Sequence, residues 1–211
     1  MGSIIVKMSP LFGKKPQPPP QPADQHTFQD SLKEAVGMLK IQEQNLDRIY
    51  NRIKTRDEQL FKEVEKALVE RDNSRALVYA NEVAQVRKMG KIILSNRLAL
   101  ERVILRLEDT IDFKETLKVL GPIVNVVNKV GGEIRNVAPQ VADSLRQIED
   151  MMNRVLIQAG EVSGYEPYVS TGSEADQILK EASVLASQKM KTSFPEIPES
   201  VRQQMEEAGT Q

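Results

Sequence analysis

Apolar residues recur every seven positions over a long stretch in the first half of the chain. This period is typical of a helix that buries one narrow seam against another helix. Val36, Tyr50 and Val64 fill the companion positions of the seam, whereas Glu43 and Asp57 interrupt it. The pattern therefore predicts a long helix with two polar residues in its apolar seam, Glu43 and Asp57, which we call the polar notches of the seam. The heptad positions are Leu32, Leu39, Leu46, Ile53, Leu60 and Ala67.

A second helical pattern follows the short polar turn Arg71–Ser74. Its apolar positions alternate spacings of four and three residues, and only Gly90 and Arg97 interrupt them. Two helices of about 40 residues would each extend about 60 Å. Because the connection is short, the helices are predicted to form an antiparallel hairpin over residues 27–111. The second face consists of Tyr79, Val83, Val86, Ile93, Leu100, Ile104, Leu107 and Ile111.

The hairpin is preceded by an arm and a proline-rich linker. Residues 1–26 comprise the basic arm Met1–Lys15 and the run Pro16–Pro22. Such a run favours extended polyproline geometry and acts as a semi-rigid spacer. The first helix is therefore predicted to begin after this linker, with a capping box at Thr27 and Asp30.

Shorter elements are predicted after the hairpin. Gly121-Pro122, Gly131-Gly132 and Pro139 punctuate residues 112–159, and the clearest helical pattern there is Val141–Ile157. Glycine and proline inside a helical pattern are usual signs of its interruption. Residues 112–159 are therefore expected to form shorter regulatory helices.

The C-terminal part is predicted to contain a linker, a helix and a tail. Residues 160–172 lack a clear apolar period, and residues 173–191 carry a helical one. In the tail, residues 192–211, the prolines of Phe194–Pro198 exclude a continuous helix and favour an extended peptide. With no alternating strand pattern in the chain, the predicted fold class is all-α.

Composition narrows the choice of protein class. Only 4% of the 211 residues are aromatic, 28% are charged and none is Cys. These values suit long helices with narrow aliphatic seams and exclude disulfides and thiolate metal sites. No apolar run approaches the about 18 residues of a membrane span. We expect an intracellular protein whose membrane contact, if any, is peripheral.

No catalytic constellation is visible in the sequence. His26 is the single histidine and cannot form a metal cluster by itself, and Gly131-Gly132 lacks the context of a phosphate-binding loop. The acidic residues are spread over helix faces. We therefore expect no enzyme activity, no metal site, no cofactor and no small-molecule substrate.

The net charge of −1 conceals a strong asymmetry. Residues 1–107 contain 19 basic and 13 acidic side chains, and residues 108–211 contain 10 and 17, leaving net charges of +6 and −7. A basic half of this kind favours an anionic partner, and the acidic half offers an internal one.

One face of the second helix concentrates this basic charge. Between Gln85 and Arg106 the only acidic residue is Glu101. A solvated face usually mixes the two signs more evenly. We interpret this basic stripe as a surface for anionic lipid, or for the acidic half of the same or a neighbouring chain. Its members are Arg87, Lys88, Lys91, Arg102 and Arg106.

Two residues interrupt the seam of the second helix. Arg97 needs a partner there, and Glu43 and Asp57 on the facing helix are the candidates, unless the arginine extends its head to solvent. Gly90 either permits close helix approach, allows a bend, or is a tolerated defect.

The order of these features resembles the ESCRT-III family of membrane-remodelling proteins, and more narrowly its archaeal cell-division members. The resemblance rests on the arm Met8–Lys15, the long hairpin, the basic-then-acidic charge order, the short C-terminal helices and the terminal proline motif. It spans most of the chain. Family members often begin with a Leu-Phe-Gly-Lys-like sequence, so Met8 is a candidate start. No segment suits the winged-helix domain of some archaeal relatives.

The resemblance implies a membrane role for the arm. From the residues alone, the arm is equally consistent with a disordered tail. If the resemblance holds for the arm, Leu11 and Phe12 insert at the lipid interface while Lys14 and Lys15 contact anionic headgroups.

The resemblance also implies two roles for the C-terminal part. Its helices would fold back on the hairpin and restrain assembly. Its proline motif would bind the MIT domain of an AAA-type disassembly ATPase through Phe194, Pro195, Ile197 and Pro198. Phe194 and Ile197 depart from the usual Leu or Ile and the frequent Val. The alternative is a plain linker, and the family's second, helical ATPase-binding motif is not recognisable in residues 201–211.

The function implied is polymerisation with itself and paralogous subunits on the inner face of an anionic membrane, driving constriction and scission, with archaeal cell division as the process. Alternatives are a phage-shock-type membrane scaffold and a non-membrane helical adaptor or nucleic-acid-binding coiled coil. Nucleic acid is less favoured because no aromatic residues for base stacking accompany the basic stripe of the second helix.

Overall fold

The computed structural model describes residues 22–109, 113–163 and 172–208, and within these ranges it contains helices and short connections but no strand. The all-α fold class predicted from the sequence is therefore confirmed. The helices are α1 (Pro22–Val69), α2 (Asn73–Asp109), α3 (Phe113–Ile134), α4 (Pro139–Ser163), α5 (Ser173–Ser193) and α6 (Glu199–Ala208).

Helices α1 and α2 form the predicted antiparallel hairpin. A Schellman motif ends α1, in which Asp72 N donates to Ala67 O and Arg71 N donates to Leu68 O. Arg71 takes the left-handed position of this motif, with φ 58°. The Asp72 carboxylate then caps α2 by accepting from Arg75 N at 3.0 Å. The predicted polar turn is thus confirmed. Helix α1 begins earlier than predicted, because the first helical turn tolerates the fixed φ of Pro22.

The heptad seam lies in the core as predicted. Four of its six positions are buried, and Leu32 and Ile53 are partly buried. The main core lies at the open end of the hairpin, where α3, α4 and α5 join it. A second cluster fills the hairpin tip and includes Val201 of α6. Helices α5 and α6 pack on α2, whereas α4 packs on α1 and α3.

The predicted interruption of residues 112–159 at their glycines is wrong, because Gly121, Pro122, Gly131 and Gly132 all lie inside the continuous helix α3. A proline in a helix interior costs about 3 kcal/mol. Burying one large aliphatic side chain returns about 1.5–3 kcal/mol. Helix α3 buries many of them, so tertiary packing outweighs the local signals. They include Leu120, Ile123, Val126, Val127, Val130 and Ile134.

The remaining boundaries are confirmed in part. Pro139 starts α4, but this helix continues to Ser163 and so takes up the first part of the predicted linker. Residues 164–171 lie outside the described residues. Helix α5 matches the predicted helix 173–191, and Phe194–Pro198 is non-helical as predicted. Helix α6 follows it, where the sequence pattern had indicated no recognisable motif.

Candidate tail-docking interface

The C-terminal segment, residues 173–208, lies antiparallel along most of α2. Glu174 at its start pairs with Arg106, near the end of α2. Further along, Met190 lies beside Gly90. Helix α6 continues in the same direction to the hairpin tip. The segment therefore covers a long side of α2, including much of the region predicted to bind an anionic partner.

Three ion pairs hold the first half of α5. Glu174 pairs with Arg106, Glu181 pairs with Arg102, and Asp176 pairs with Lys129 of α3. All six side chains remain at least one third exposed to solvent. Exposed pairs contribute little singly, so their value lies in acting together and in setting the register of α5.

The pKa of the Glu181 carboxyl is lowered, first by the hydrogen bond from Gln177 and then by Arg102. A lowered pKa in the folded state means that the contact stabilises the fold above the ordinary carboxyl pKa. That contribution is lost as the pH falls through the lowered pKa. Gln177 lies on α5 itself, so only the part of this effect that comes from Arg102 should weaken the docking of α5 in acid.

Small residues bring α5 close to the hairpin. Ala175, Ala182 and Ala186 are completely buried and Ile178 is 7% exposed, and these four residues recur at helical spacing on one face. Short side chains permit close approach of two backbones, so dispersion contacts accompany the ion pairs.

Arg87 joins the tail to both hairpin helices. Its Nε and Nη2 donate to the Asp57 carboxylate at 2.6 and 3.0 Å, and its Nη1 donates to Pro195 O at 2.7 Å. The Asp57 side chain has no solvent exposure. The Arg87 guanidinium carbon lies 5.3 Å from the ring centroid of Phe194 and 5.8 Å from that of Phe61. A forked, planar cation suits this combination of two carboxylate oxygens, a carbonyl and two ring faces.

The candidate ATPase-binding peptide is docked on the hairpin. Phe194 is 8% exposed and meets Tyr50 edge to face at 6.5 Å. Burial raises the pKa of the Tyr50 hydroxyl, against the opposing effects of Ser193 and Arg97. Ile197 packs on the tip cluster. Pro195 is exposed and Pro198 is half-buried. Both proposed apolar anchors, Phe194 and Ile197, thus contact this chain itself.

The members of the predicted α2 basic stripe differ in whether they are paired within the chain. Arg102 and Arg106 bind acidic residues of the C-terminal half of the same chain, which was one of the interpretations drawn from the sequence. Arg87 binds Asp57 of α1 instead, which the sequence did not predict. Lys88 and Lys91 are exposed, and no partner of theirs occurs among the described residues. In this conformation three of the five cations are therefore occupied, and lipid binding by the stripe stays a prediction. The arm residues Leu11, Phe12, Lys14 and Lys15 lie outside the described residues.

Arg97 has the first of its two predicted partners. Its Nη1 lies 2.6 Å from Glu43 Oε1 and 3.4 Å from Asp47 Oδ1. Asp57, the second candidate, pairs with Arg87 instead. The Arg97 side chain is 18% exposed, so the arginine stays on the seam. The two polar notches of α1 therefore accept two different arginines of α2.

Gly90 permits a close approach of helices, one of the alternatives left open by the sequence. A Cβ atom at this position would lie 3.1 Å from Ile53 Cγ2 and 3.7 Å from Met190 Cε. Hence α1, α2 and the end of α5 meet where α2 lacks a side chain.

Replacing Gly90 with Val should lower the free energy of unfolding by about 1–3 kcal/mol, because the added methyl groups overpack this contact. Gly37→Val is the matched control, since a Cβ there meets nothing within 4 Å. We expect it to change stability by less than about 0.5 kcal/mol, as glycine and valine are both weak helix formers. Urea unfolding followed by circular dichroism measures both. Equal losses at the two positions would contradict the close approach.

One candidate surface was missed by the sequence analysis. The solvent face of α1 carries a row of exposed basic residues, which we call the α1 basic face. The signal was available, because 100° per residue places these positions opposite the heptad seam. It was hidden by the acidic residues that alternate with them in the sequence. The α1 basic face consists of Arg48, Arg52, Arg56, Lys62 and Lys66.

Two further properties concern the described residues alone. No group of three or more His, Cys, Asp or Glu side chains in residues 22–109, 113–163 and 172–208 is placed to hold a metal ion. None of the helices in these ranges has the length and hydropathy to cross a membrane.

The chain has relatives among archaeal proteins. It is 39% identical over 154 residues to Cell division protein B1 of Sulfolobus acidocaldarius, an alignment that covers 72% of each protein. It is 35% identical over 162 residues to Cell division protein B of the same organism, covering 76% of this chain and 62% of that protein. No family model matches the chain, and no solved structure does. The resemblance drawn from the sequence is confirmed, and the chain belongs to the archaeal ESCRT-III cell-division proteins.

Proposed function

We propose that this chain polymerises on the inner face of an anionic membrane during archaeal cell division, and that its filaments constrict and sever the membrane neck. The observation that carries the proposal is the 39% identity to Cell division protein B1 over 72% of both chains. Its copolymerisation partners would be paralogous subunits of the same family.

The helical hairpin is suited to this role. Helix α2 alone has 37 residues, about 55 Å at 1.5 Å per residue, so the hairpin is a long rod with extensive sides for lateral packing. Two interhelical ion pairs, Glu43 with Arg97 and Asp57 with Arg87, fix its register. A rod with a fixed register presents the same surface in every subunit, which repeated assembly requires.

In this proposal the chain is not an enzyme and needs no cofactor. Filament assembly and membrane binding supply the work of constriction. ATP would be hydrolysed by the partner, an AAA-type ATPase whose MIT domain binds Phe194, Pro195, Ile197 and Pro198. The extended backbone at Phe194, with φ −121° and ψ 133°, supports recognition as an extended peptide.

Docking of Phe194 on the hairpin leads to a testable difference between peptide and protein. A peptide of residues 190–202 should bind the isolated MIT domain about tenfold or more tightly than the full chain does, because the docked fraction of the chain is not competent to bind. Calorimetry measures both affinities. A Phe194→Ala peptide serves as the control and should lose most of the binding. No heat from the unmodified peptide at high concentration would reject the ATPase assignment.

Electron microscopy tests the proposed function as a whole. Purified chain would be mixed with liposomes containing anionic lipid, with neutral liposomes as the control, in the presence and absence of the ATPase and ATP. We expect filaments and deformed membranes on anionic liposomes alone, and their disappearance when the ATPase turns over. Absence of filaments on both kinds of liposome, with and without paralogous subunits, would contradict the proposal.

A further inference from the structure

A groove runs along the first third of α1, at the end of the hairpin where α3 joins it. Its volume is about 500 Å³, within the range of natural ligand pockets. The α1 wall extends from Phe28 to Lys40, which corresponds to about 18 Å at 1.5 Å per residue. Leu107 and Glu108 of α2 line the opposite wall. The groove is therefore long enough for about five residues of an extended peptide.

The floor of the groove is apolar. Phe28 and Leu107 are buried, whereas Leu32 and Val36 keep part of their surface exposed. Gly37 lines the groove as well, and a Cβ atom at this exposed position would meet nothing within 4 Å. The groove thus offers aliphatic surface beside a position without a side chain, which suits one or two large apolar side chains.

The chain carries a matching segment close to the groove. Residues 1–21 precede α1 and lie outside the described residues. Phe12 stands ten positions before Pro22, so a spacer with a rise of 3.1 Å per residue reaches about 31 Å. Phe28 and Lys40 lie about 9 and about 27 Å from Pro22 along α1. The arm therefore reaches every part of the groove if the chain turns back at the start of α1.

Charge favours one orientation of the arm. On the α2 side the rim is acidic, because Glu108 lines it and the exposed Asp109 follows. These residues end α2, and the C-terminus of a helix favours cations. The α1 rim is basic, with Lys33 exposed and Lys40 paired with Glu108 at 2.5 Å. The cations of the arm, Lys14–Lys15, therefore fit the α2 side of the groove.

Tethering favours the arm over other apolar partners. A short spacer joins the arm to the helix that forms one wall of the groove. Such a connection gives an effective concentration in the millimolar range. The arm of a second copy would have to reach that concentration in solution to compete.

We propose that this groove is the docking site of the chain's own N-terminal arm, with Leu11 and Phe12 on its apolar floor and Lys14 and Lys15 at the α2 rim. Leu11 and Phe12 cannot occupy the groove and a lipid surface together. The groove would therefore hold the arm until a membrane competes for it. This consequence rests on the proposed function, whereas the docking itself does not.

Disulfide formation within the full chain tests the docking. The chain has no Cys, so Phe12→Cys with Gly37→Cys introduces one thiol pair between the arm and the groove. With oxidised glutathione as the oxidant, we expect an intramolecular disulfide at least about tenfold faster than in the control pair, Phe12→Cys with Gly132→Cys. Gly132 is a matched position, because it is exposed in a helix and a Cβ there also meets nothing within 4 Å. Mass spectrometry identifies the bond, and gel electrophoresis separates single chains from cross-linked dimers.

Tryptophan fluorescence tests the same contact without a covalent bond. Because the chain has no Trp, Phe12→Trp provides a single tryptophan in the arm. Without lipid, acrylamide should quench it at least about threefold more weakly than it quenches the same chain unfolded in urea, since most of the arm is docked. Adding Gly37→Phe fills the groove and should abolish this protection, whereas Gly132→Phe should preserve it. Circular dichroism checks that each variant remains helical.

Each outcome either supports or overturns the inference. Equal rates for the two thiol pairs, or quenching as strong as in the unfolded chain, would overturn it. Cross-linked dimers without the intramolecular product would assign the groove to the arm of a second copy and overturn it as well. Protection of the tryptophan only with phosphatidylglycerol-containing vesicles would leave the arm to the membrane alone, with the same effect. A docked arm in a chain that binds no vesicles and forms no filaments would overturn the proposed function and leave the docking standing.

Discussion

Replacing Arg87 with Met should lower the free energy of unfolding by about 3–5 kcal/mol, because the fully buried Asp57 carboxylate would lose its counter-ion. The change keeps a long apolar stem and removes the three donors that reach Asp57 and Pro195 O. Urea unfolding followed by circular dichroism measures the loss. Lys88→Met is the matched control, since Lys88 is the exposed neighbour on the same helix and should change stability little. A loss no larger at Arg87 than at Lys88 would contradict the assignment.

A double variant separates the two functions of Arg87. In Asp57→Leu with Arg87→Met, no orphaned charge remains, so most of the stability should return. The tail would still lack its hydrogen bond to Pro195 O and the cation beneath Phe194. Trypsin cleavage after the exposed Lys189 and Lys191 should therefore remain faster than in the unmodified chain. If the double variant is as unstable as Arg87→Met, the loss comes from the tail contacts and not from the buried charge.

The ion pair between Arg87 and Asp57 could not be predicted from the sequence, although both polar notches of α1 could. The heptad pattern located both polar notches of α1, and the seam of α2 correctly suggested an arginine partner for Glu43. A helical wheel, however, gives a direction only relative to its own helix. It placed Arg87 on the outer stripe of α2, whereas the tail lies there and the guanidinium reaches back to Asp57. Which arginine meets which notch depends on interhelical register, and a single helix does not encode that register.

In helix α3, local sequence signals gave a wrong prediction. Its Gly and Pro residues are genuine local signals, and they predicted breaks that do not occur. Burial of a long aliphatic stripe against α2, α4 and α5 decides the conformation, and those contacts are between segments distant in sequence. In the tail, by contrast, the prolines of Phe194–Pro198 predicted the non-helical backbone correctly. Local chemistry decides the structure there because the segment buries few residues.

Reversing Glu174, Asp176 and Glu181 to Lys should release α5 and lower the protein concentration at which filaments form. The three ion pairs with Arg106, Lys129 and Arg102 would become repulsive contacts. If the open state is a minor population of about 0.1–10%, full release would lower the threshold by tenfold or more. Light scattering against concentration, with electron microscopy to identify filaments, measures the threshold. This expectation rests on the proposed function and on restraint of assembly by the docked segment.

A chain that ends after residue 172 should show the same effect, but it also exposes the apolar surface that Ile178 covers. Aggregation of the truncated chain would also raise the light scattering, so the charge variant distinguishes filament assembly from aggregation more clearly. Its matched control reverses Glu58, Asp143 and Asp150, three exposed acidic residues outside the C-terminal segment. The control changes the net charge equally and should leave the threshold within about threefold, because it does not touch the docking contacts.

A charge swap tests whether the three ion pairs themselves hold the C-terminal segment on the rest of the chain. Adding Arg102→Glu, Arg106→Glu and Lys129→Glu to the reversed chain recreates all three pairs with opposite polarity. If these contacts hold the segment on α2, the swap should restore the original threshold, whereas general effects of charge would not be rescued in this way. Equal filament formation by the unmodified, reversed and truncated chains would show that the docked segment does not restrain assembly. A low threshold that persists in the swapped chain would instead contradict restraint of assembly through these three ion pairs.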